Sequence, residues 1–153
     1  MGREIVAKNK RARREYHVLE KLEAGLCLLG AEVKSVRAGQ VNFKDAYVFI
    51  SKDLQAWIEG LHIGPYRHVD SSWNHSPTRR RKLLIHRHQV EKLYGKTSEK
   101  GLTIIPLAVY IVNKRLVKVE IGLARGKKLH DKRNDIVKRD QEREIRREMK
   151  MRH

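Results

Sequence analysis

Apolar and polar residues alternate over residues 116–123, where Val117, Val119, Ile121 and Leu123 are interrupted by Lys118 and Glu120. Successive strand side chains point to opposite faces, so this pattern demands a sheet with one buried and one wet face. The preceding stretch, Leu102–Val112, is apolar almost throughout, and Asn113-Lys114 separates the two as a turn signal. An antiparallel hairpin is predicted. Pro106 interrupts its first strand and, having no N–H to donate, predicts an edge position or a bulge there.

Two further hairpins are predicted. One joins residues 16–22 to 26–29 around Ala24-Gly25, and the other joins 46–51 to 54–61 around Lys52-Asp53. Short helices are expected over 32–37, ended by Gly39, and over 86–94, where Val90, Leu93 and Tyr94 share a helical spacing and Gly95 is the stop. The fold class is therefore mainly β: a small antiparallel Greek-key barrel of the oligonucleotide-binding type with short helices. A β-sandwich of the same strands is the alternative. The 153 residues fit one domain, divided into a basic arm (1–14), a barrel (15–125) and a basic tail (126–153).

Charge organises the rest. The chain has 35 Lys+Arg against 18 Asp+Glu, a formal net charge of +17. Residues 1–14 hold Arg3, Lys8, Lys10, Arg11, Arg13 and Arg14 against Glu4 alone, and residues 126–153 are also strongly basic. Such a footprint favours a polyanionic partner, RNA or DNA. A membrane surface would want a basic helix with a bulky apolar face, which neither segment offers. No apolar run is long enough to span a bilayer, and the N-terminal sixteen residues lack an apolar signal core. With Cys27 as the single cysteine there is no internal disulfide, and a reducing, cytoplasmic setting is expected.

In the tail, Asp135–Arg139, Glu142–Arg146 and Glu148–Arg152 are spaced i,i+4 with the acid first. Such pairs contribute only ~0.2–0.5 kcal/mol each, and no continuous apolar stripe exists to dock the segment. The expectation is a tail disordered when free and helical against an anionic surface.

No catalytic constellation stands out. The His residues are scattered, a metal site lacks ligands, and Gly122-Leu123-Ala124-Arg125-Gly126 lacks the glycine spacing of a phosphate-binding loop. Neither an enzymatic activity, nor a cofactor, nor a metal is expected. Residues 65–82 instead interleave Tyr66 and Trp73 with Arg67, His68, Arg79, Arg80, Arg81 and Lys82. Aromatic rings stack on unpaired bases while Lys and Arg meet phosphates, so this segment reads as RNA-binding.

Several motifs in one order carry a resemblance. They are Asn9-Lys10-Arg11-Ala12 with Tyr16, Gly30-Ala31-Glu32-Val33-Lys34-Ser35-Val36-Arg37, Arg79-Arg80-Arg81-Lys82-Leu83-Leu84-Ile85-His86, and 122–128 with His130-Asp131-Lys132-Arg133. The chain resembles the SmpB family, the bacterial SsrA-binding proteins that partner transfer-messenger RNA. The resemblance implies an oligonucleotide-binding-type barrel and an adaptor role in trans-translation. The barrel would hold the tRNA-like part of transfer-messenger RNA. The tail would enter the empty decoding centre and message channel of the small ribosomal subunit on a stalled 70S ribosome, becoming helical there. Elongation factor Tu and alanyl-tRNA synthetase would meet the protein through the shared RNA, and the chain would be a monomer. By position, the resemblance implies RNA contacts at Asn9, Lys10, Glu32, Lys34, Arg37, Lys127 and Lys128, and decoding-centre contacts at His130, Asp131, Lys132 and Arg133. Glu32 repels phosphate, so it would meet a base or ribose, or else orient Lys34 or Arg37. Leu129 stands where the family commonly carries a polar residue. The competing classes are a general single-strand-binding or ribosomal protein, and a nuclease, which would need clustered carboxylates.

Overall fold

The computed structural model describes residues 2–66, 74–98, 101–127 and 129–151, with backbone only for 129–135. Among the described residues, nine strands and four helices follow in order: β1 (Arg3–Lys8), α1 (Lys10–Glu15), β2 (Tyr16–Leu26), α2 (Gly30–Arg37), β3 (Val41–Asn42), β4 (Tyr47–Ile50), β5 (Ala56–Glu59), β6 (His62–Ile63), β7 (Arg81–Leu84), α3 (Arg87–Thr97), β8 (Leu102–Val112), β9 (Leu116–Gly126) and α4 (Leu129–Met151).

The main sheet runs β1-β8-β4-β5-β7-β2-β9, and β9 pairs back onto β8. That last pairing closes a six-stranded antiparallel ring and excludes the sandwich. Within it β8-β4-β5-β7 has the order of a Greek key, the fourth strand returning beside the first. Strands β3 and β6 form a separate two-stranded ribbon.

The hairpin of β8 and β9 is formed as predicted. Asn113 and Lys114 both adopt positive φ (53° and 59°), the twist a two-residue hairpin turn requires. Val117, Val119, Ile121 and Leu123 are buried, while Lys118 and Glu120 keep contact with solvent. Pro106 lies at a register shift against β9, between Pro106 and Ala108. The β4–β5 hairpin also forms, with Leu54 turning the chain at φ 59°.

The first predicted hairpin does not form. Tyr16–Leu26 is one long strand that pairs with β9 along most of its length and with β7 only at Gly25 and Leu26. Gly25 is needed for close approach rather than for a turn: a Cβ there would sit 3.2 Å from the Leu84 Cβ. Helix α3 likewise runs through Gly95 to Thr97, because Gly95 faces open space and nothing there ends the helix. Nor is 1–14 a free arm. Residues 3–8 add an edge strand to β8 and 10–15 form α1, with Ala12 buried against Ile105 and Ala124.

The core collects Val36 from α2, Leu93 from α3 and inward residues of the barrel strands, among them Ile58, Ile104, Val109 and Ile121. Helix α3 docks through Val90 and Leu93, whereas α2 buries Val36 beside the polar Glu32 and Ser35.

Gly60 has φ +78°, and a Cβ there would collide with the Asp45 backbone carbonyl; Gly39 has φ +79° but open surroundings. Gly39→Ala therefore costs about 1–2 kcal/mol of backbone strain, and Gly60→Ala costs that plus a backbone displacement. Urea unfolding of the two variants should rank Gly60→Ala as the clearly less stable.

Candidate nucleic-acid interface

Two groups of exposed cations are built by the fold. The first surrounds α1 and the end of β9. Asn9 caps α1, its side chain accepting from the Ala12 N–H (3.3 Å), and its Nδ2 donates to the Pro106 carbonyl (2.8 Å). Lys10, Arg11, Arg13 and Arg14 are exposed around this short helix. Tyr16 pairs with Gly126 and the Lys127 N–H donates to the Glu15 carbonyl (2.7 Å). The Lys127 Nζ donates to the Arg13 carbonyl (2.8 Å), so α1 and the root of α4 are one unit. Asn9 thus acts as a scaffold through both of its side-chain bonds, and Lys10 and Arg125 are exposed beside it.

The second group lies beside the β8–β9 turn. Lys34 and Arg37 project from the exposed side of α2. The Arg37 Nη2 donates to the Lys114 carbonyl (2.8 Å), which adds Lys114 and Arg115 to the patch. The Lys34 ammonium stands 5.3 Å from the Tyr66 ring centroid. The two patches occupy opposite ends of β9, roughly 30 Å apart at a strand rise near 3.3 Å per residue.

Glu32 and Arg81 are not surface contacts. Both side chains are fully buried. The Glu32 carboxylate accepts from Arg81 Nε (2.5 Å), Arg79 Nη2 (2.5 Å) and the Leu29 N–H (2.8 Å). Arg81 also donates to the carbonyls of Leu61 (2.7 Å) and Pro77 (3.1 Å). Burial by itself would push the Glu32 carboxyl up, but the hydrogen bonds from Arg79, Leu29 and Arg81 outweigh it and hold the group below its ordinary value. Burial pulls the Arg81 guanidinium down, against the opposing pull of Glu32, yet a guanidinium remains charged at neutral pH. The sequence expectation of RNA contact at these two residues is therefore corrected. They fix α2 on β7, and through α2 they aim Lys34 and Arg37. Arg79 is held in the same network, while Arg80 is exposed and pairs with Glu59 (3.4 Å). Lys82 is half-buried on β7.

Lys128 lies outside the described residues, as do Arg67, His68 and Trp73 and the side chains of His130, Asp131, Lys132 and Arg133. The backbone of 130–133 forms the first turns of α4. What sequence reasoning missed was α1 itself; the available signal was Asn9 placed three residues before the small Ala12, an N-cap spacing. Among the described residues no group of His, Cys, Asp or Glu could hold a metal, and no helix is long and apolar enough to cross a membrane.

A closed β-barrel with cations presented on helices and turns at two stations is a protein shaped to hold a polyanion. Comparison with known proteins narrows this. The model of the SmpB protein family matches residues 6–151. An SsrA-binding protein of Thermosynechococcus vestitus is 50% identical over 148 residues, covering 97% of this chain and 96% of that protein. One from Oleidesulfovibrio alaskensis is 52% identical over 152 residues, covering 99% and 96%. Among solved structures, a chain described under the words "tmRNA-SmpB: a journey to the center of the bacterial ribosome" superposes with TM-score 0.68 at 45% identity, covering 80% of this chain and 85% of that one. The chain belongs to the SmpB family.

Removing one partner of a buried ion pair strands the other charge, at about 3–5 kcal/mol, and Glu32→Ala should destabilise by that order in urea unfolding. Because the folded pKa of Glu32 is depressed, its contribution is complete above the ordinary glutamate value of 4.5 and is lost as pH falls through the folded value. The stability gap between the wild type and Glu32→Gln should therefore narrow progressively below about pH 4.5, which unfolding titrations at a series of pH values will read.

Proposed function

We propose that this protein is the RNA-binding adaptor of trans-translation, not an enzyme. It binds the tRNA-like domain of transfer-messenger RNA (SsrA) and brings it to 70S ribosomes stalled on messages without a stop codon, so that the nascent chain is tagged and the ribosome freed. The observation that carries this reading is similarity to SsrA-binding proteins over nearly the whole chain, tail included. The two cation stations on a rigid barrel suit a folded RNA, whose phosphates lie at fixed separations.

The division of labour follows from the architecture. Lys10 and Arg125 near α1, and Lys34 and Arg37 on α2, meet the RNA backbone. Lys127 sets the root of the tail, and Lys128 adds charge there. The tail carries His130, Asp131, Lys132 and Arg133 into the vacant decoding centre of the small subunit, and the rest follows the message channel. Helix α4 is the bound form of a segment whose own pairs are too weak to hold it, so the free tail is largely unfolded. The protein works as a cytoplasmic monomer, and elongation factor Tu and alanyl-tRNA synthetase meet it through the RNA they share.

At fixed, moderate salt the full chain should prefer a tRNA-like domain with an intact D-loop/T-loop elbow over an unstructured strand of equal length by more than about tenfold; equal affinity would reduce the binding to bulk charge. Lys10→Ala and Lys34→Ala should each lower the salt slope of that binding by roughly 0.7–0.9. Deleting 129–153 should leave RNA affinity nearly intact and abolish tagging, and circular dichroism should show the full chain, but not the truncation, gaining helicity on ribosomes or structured RNA.

A further inference from the structure

The outward face of β4 and β5 is aromatic. Along β4, Val48 points into the core while Tyr47 and Phe49 point out, and along β5, Ala56 and Ile58 point in while Trp57 points out. Phe49 and Trp57 are directly opposed across the two strands. Tyr47 is 46% exposed, and its ring centroid lies 6.1 Å from that of Phe49. Burial does not explain the set, because a solvent-facing sheet surface is normally polar.

Cations border these rings on the next strand. Lys82 of β7 is the cross-strand partner of Trp57. The Arg80 guanidinium lies 5.0 Å from the Phe49 ring centroid. Glu59 accepts from the Tyr47 hydroxyl (2.9 Å) and pairs with Arg80, which orients both and neutralises the one acid on the face. From Lys82 the surface falls into an open groove between β2, β7 and the start of α3, where Lys21, Arg87 and Lys118 join it. The groove's acids are engaged: Glu23 accepts from Tyr110 and faces Lys118 (3.8 Å), and Asp53 accepts from Ser51.

We infer that the Tyr47–Phe49–Trp57 face, continued by Lys82 into the β2–β7–α3 groove, is a separate binding surface for single-stranded RNA. Unpaired bases stack on the exposed Tyr47 ring, on the half-buried Phe49 and Trp57 rings and on the Arg80 guanidinium, and the adjoining phosphates run past Lys82 toward Lys21, Arg87 and Lys118. A paired helix hides its base faces and cannot use the rings. An RNA strand is favoured over a protein segment because the cations continue the line of rings on a chain of net charge +17. The residues of this surface, on β4, β5, β7 and the groove beside them, are distinct from the cations of α1 and α2.

The decisive experiment cross-links the full chain by ultraviolet light to an unstructured oligouridylate carrying 5-bromouridine and maps the adducts by mass spectrometry. Adducts on Tyr47, Phe49 or Trp57 are expected. Adducts confined to α1, α2 or the tail, or none, overturn the proposal, the last being the outcome if the face serves a protein instead. In parallel titrations, Tyr47→Ala should weaken oligouridylate binding by about 5-fold or more, the effect of losing one base stack. Tyr47→Phe, which keeps the ring and loses the Glu59 contact, should bind as the wild type does. Affinity for the tRNA-like domain should be unchanged in both. Undiminished oligouridylate binding by Tyr47→Ala, or equal losses for both RNAs, refutes a separate stacking surface and leaves the adaptor reading untouched.

Discussion

One edge of β8 has to serve two strands, and the barrel depends on how it does so. Its first half pairs with β4 at Ile104, closing the ring, and its second half pairs with β1 from Ala108 to Val112. The hand-over falls at Pro106 and Leu107, where Pro106 brings no N–H and the register against β9 shifts by a bulge. The two carbonyls left there are taken by Asn9, whose Nδ2 donates to Pro106 and whose N–H donates to Leu107 (both 2.8 Å). A residue with no donor thus makes room for a residue with two, and the N-terminal segment is sewn into the barrel at that point. Arg3 secures the far end of β1 by lying over the Tyr110 ring (3.8 Å) and pairing with Glu120 (3.2 Å).

The second constraint is electrostatic. A chain with so large an excess of cations repels itself when compact, and its few acids are placed to offset this where it matters. Glu32 is the extreme case: a carboxylate held away from water by two arginines, its remaining acceptor capacity filled by the Leu29 N–H. The arrangement is costly to desolvate and cannot lose one member without stranding another. What it secures is register: α2 can sit on β7 in one way only, with Lys34 and Arg37 outward. The cations left exposed include Lys10, Arg13 and Arg14 on α1, Lys34 and Arg37 on α2, and Lys114 and Arg115 at the β8–β9 turn, whereas Arg11 is paired with Glu15 (2.8 Å).

How much of this was legible in the sequence varies with the range of the interaction. The β8–β9 hairpin was readable because the pattern of Val117 to Leu123 and the Asn113-Lys114 turn are local signals. The β4–β5 hairpin was readable for the same reason. Tyr16–Leu26 was misread as a hairpin because Gly25 has two uses, turning a chain or letting another strand approach, and the choice is made by Leu84, about sixty residues away in sequence. Gly95 failed as a helix stop for a related reason: glycine ends a helix when the next residues gain by leaving it, and here the chain continues to Thr97. At the site, Lys10, Lys34 and Arg37 could be picked out by motif and are exposed, whereas Arg125, Lys114 and Arg115 join the patches only through the fold. The roles of Glu32 and Arg81 could not be read from motif, since burial is decided by packing between α2 and β7, which no short-range pattern records. The aromatic face of β4 and β5 also escaped notice, because three rings on two strands look like core until the inward positions are known.

The tail joins a long helix to a root that the barrel fixes. Its root is fixed: the Lys127 N–H and ammonium both bond to carbonyls of α1, and Ala12 anchors α1 to Ile105 and Ala124. Beyond that root, among the described side chains, nothing apolar holds α4 to the barrel; Ile136, Val137, Ile145, Met149 and Met151 are all exposed. Over 136–151 such a helix gains little apolar burial from the barrel, so on the reading proposed above its ordering free energy comes from a partner. Departure point is therefore encoded in the barrel, while on the proposed reading conformation is left to the surface the tail meets. On the reading proposed above, the barrel holds one RNA with its shape already set, while the tail folds against the anionic surface that receives it.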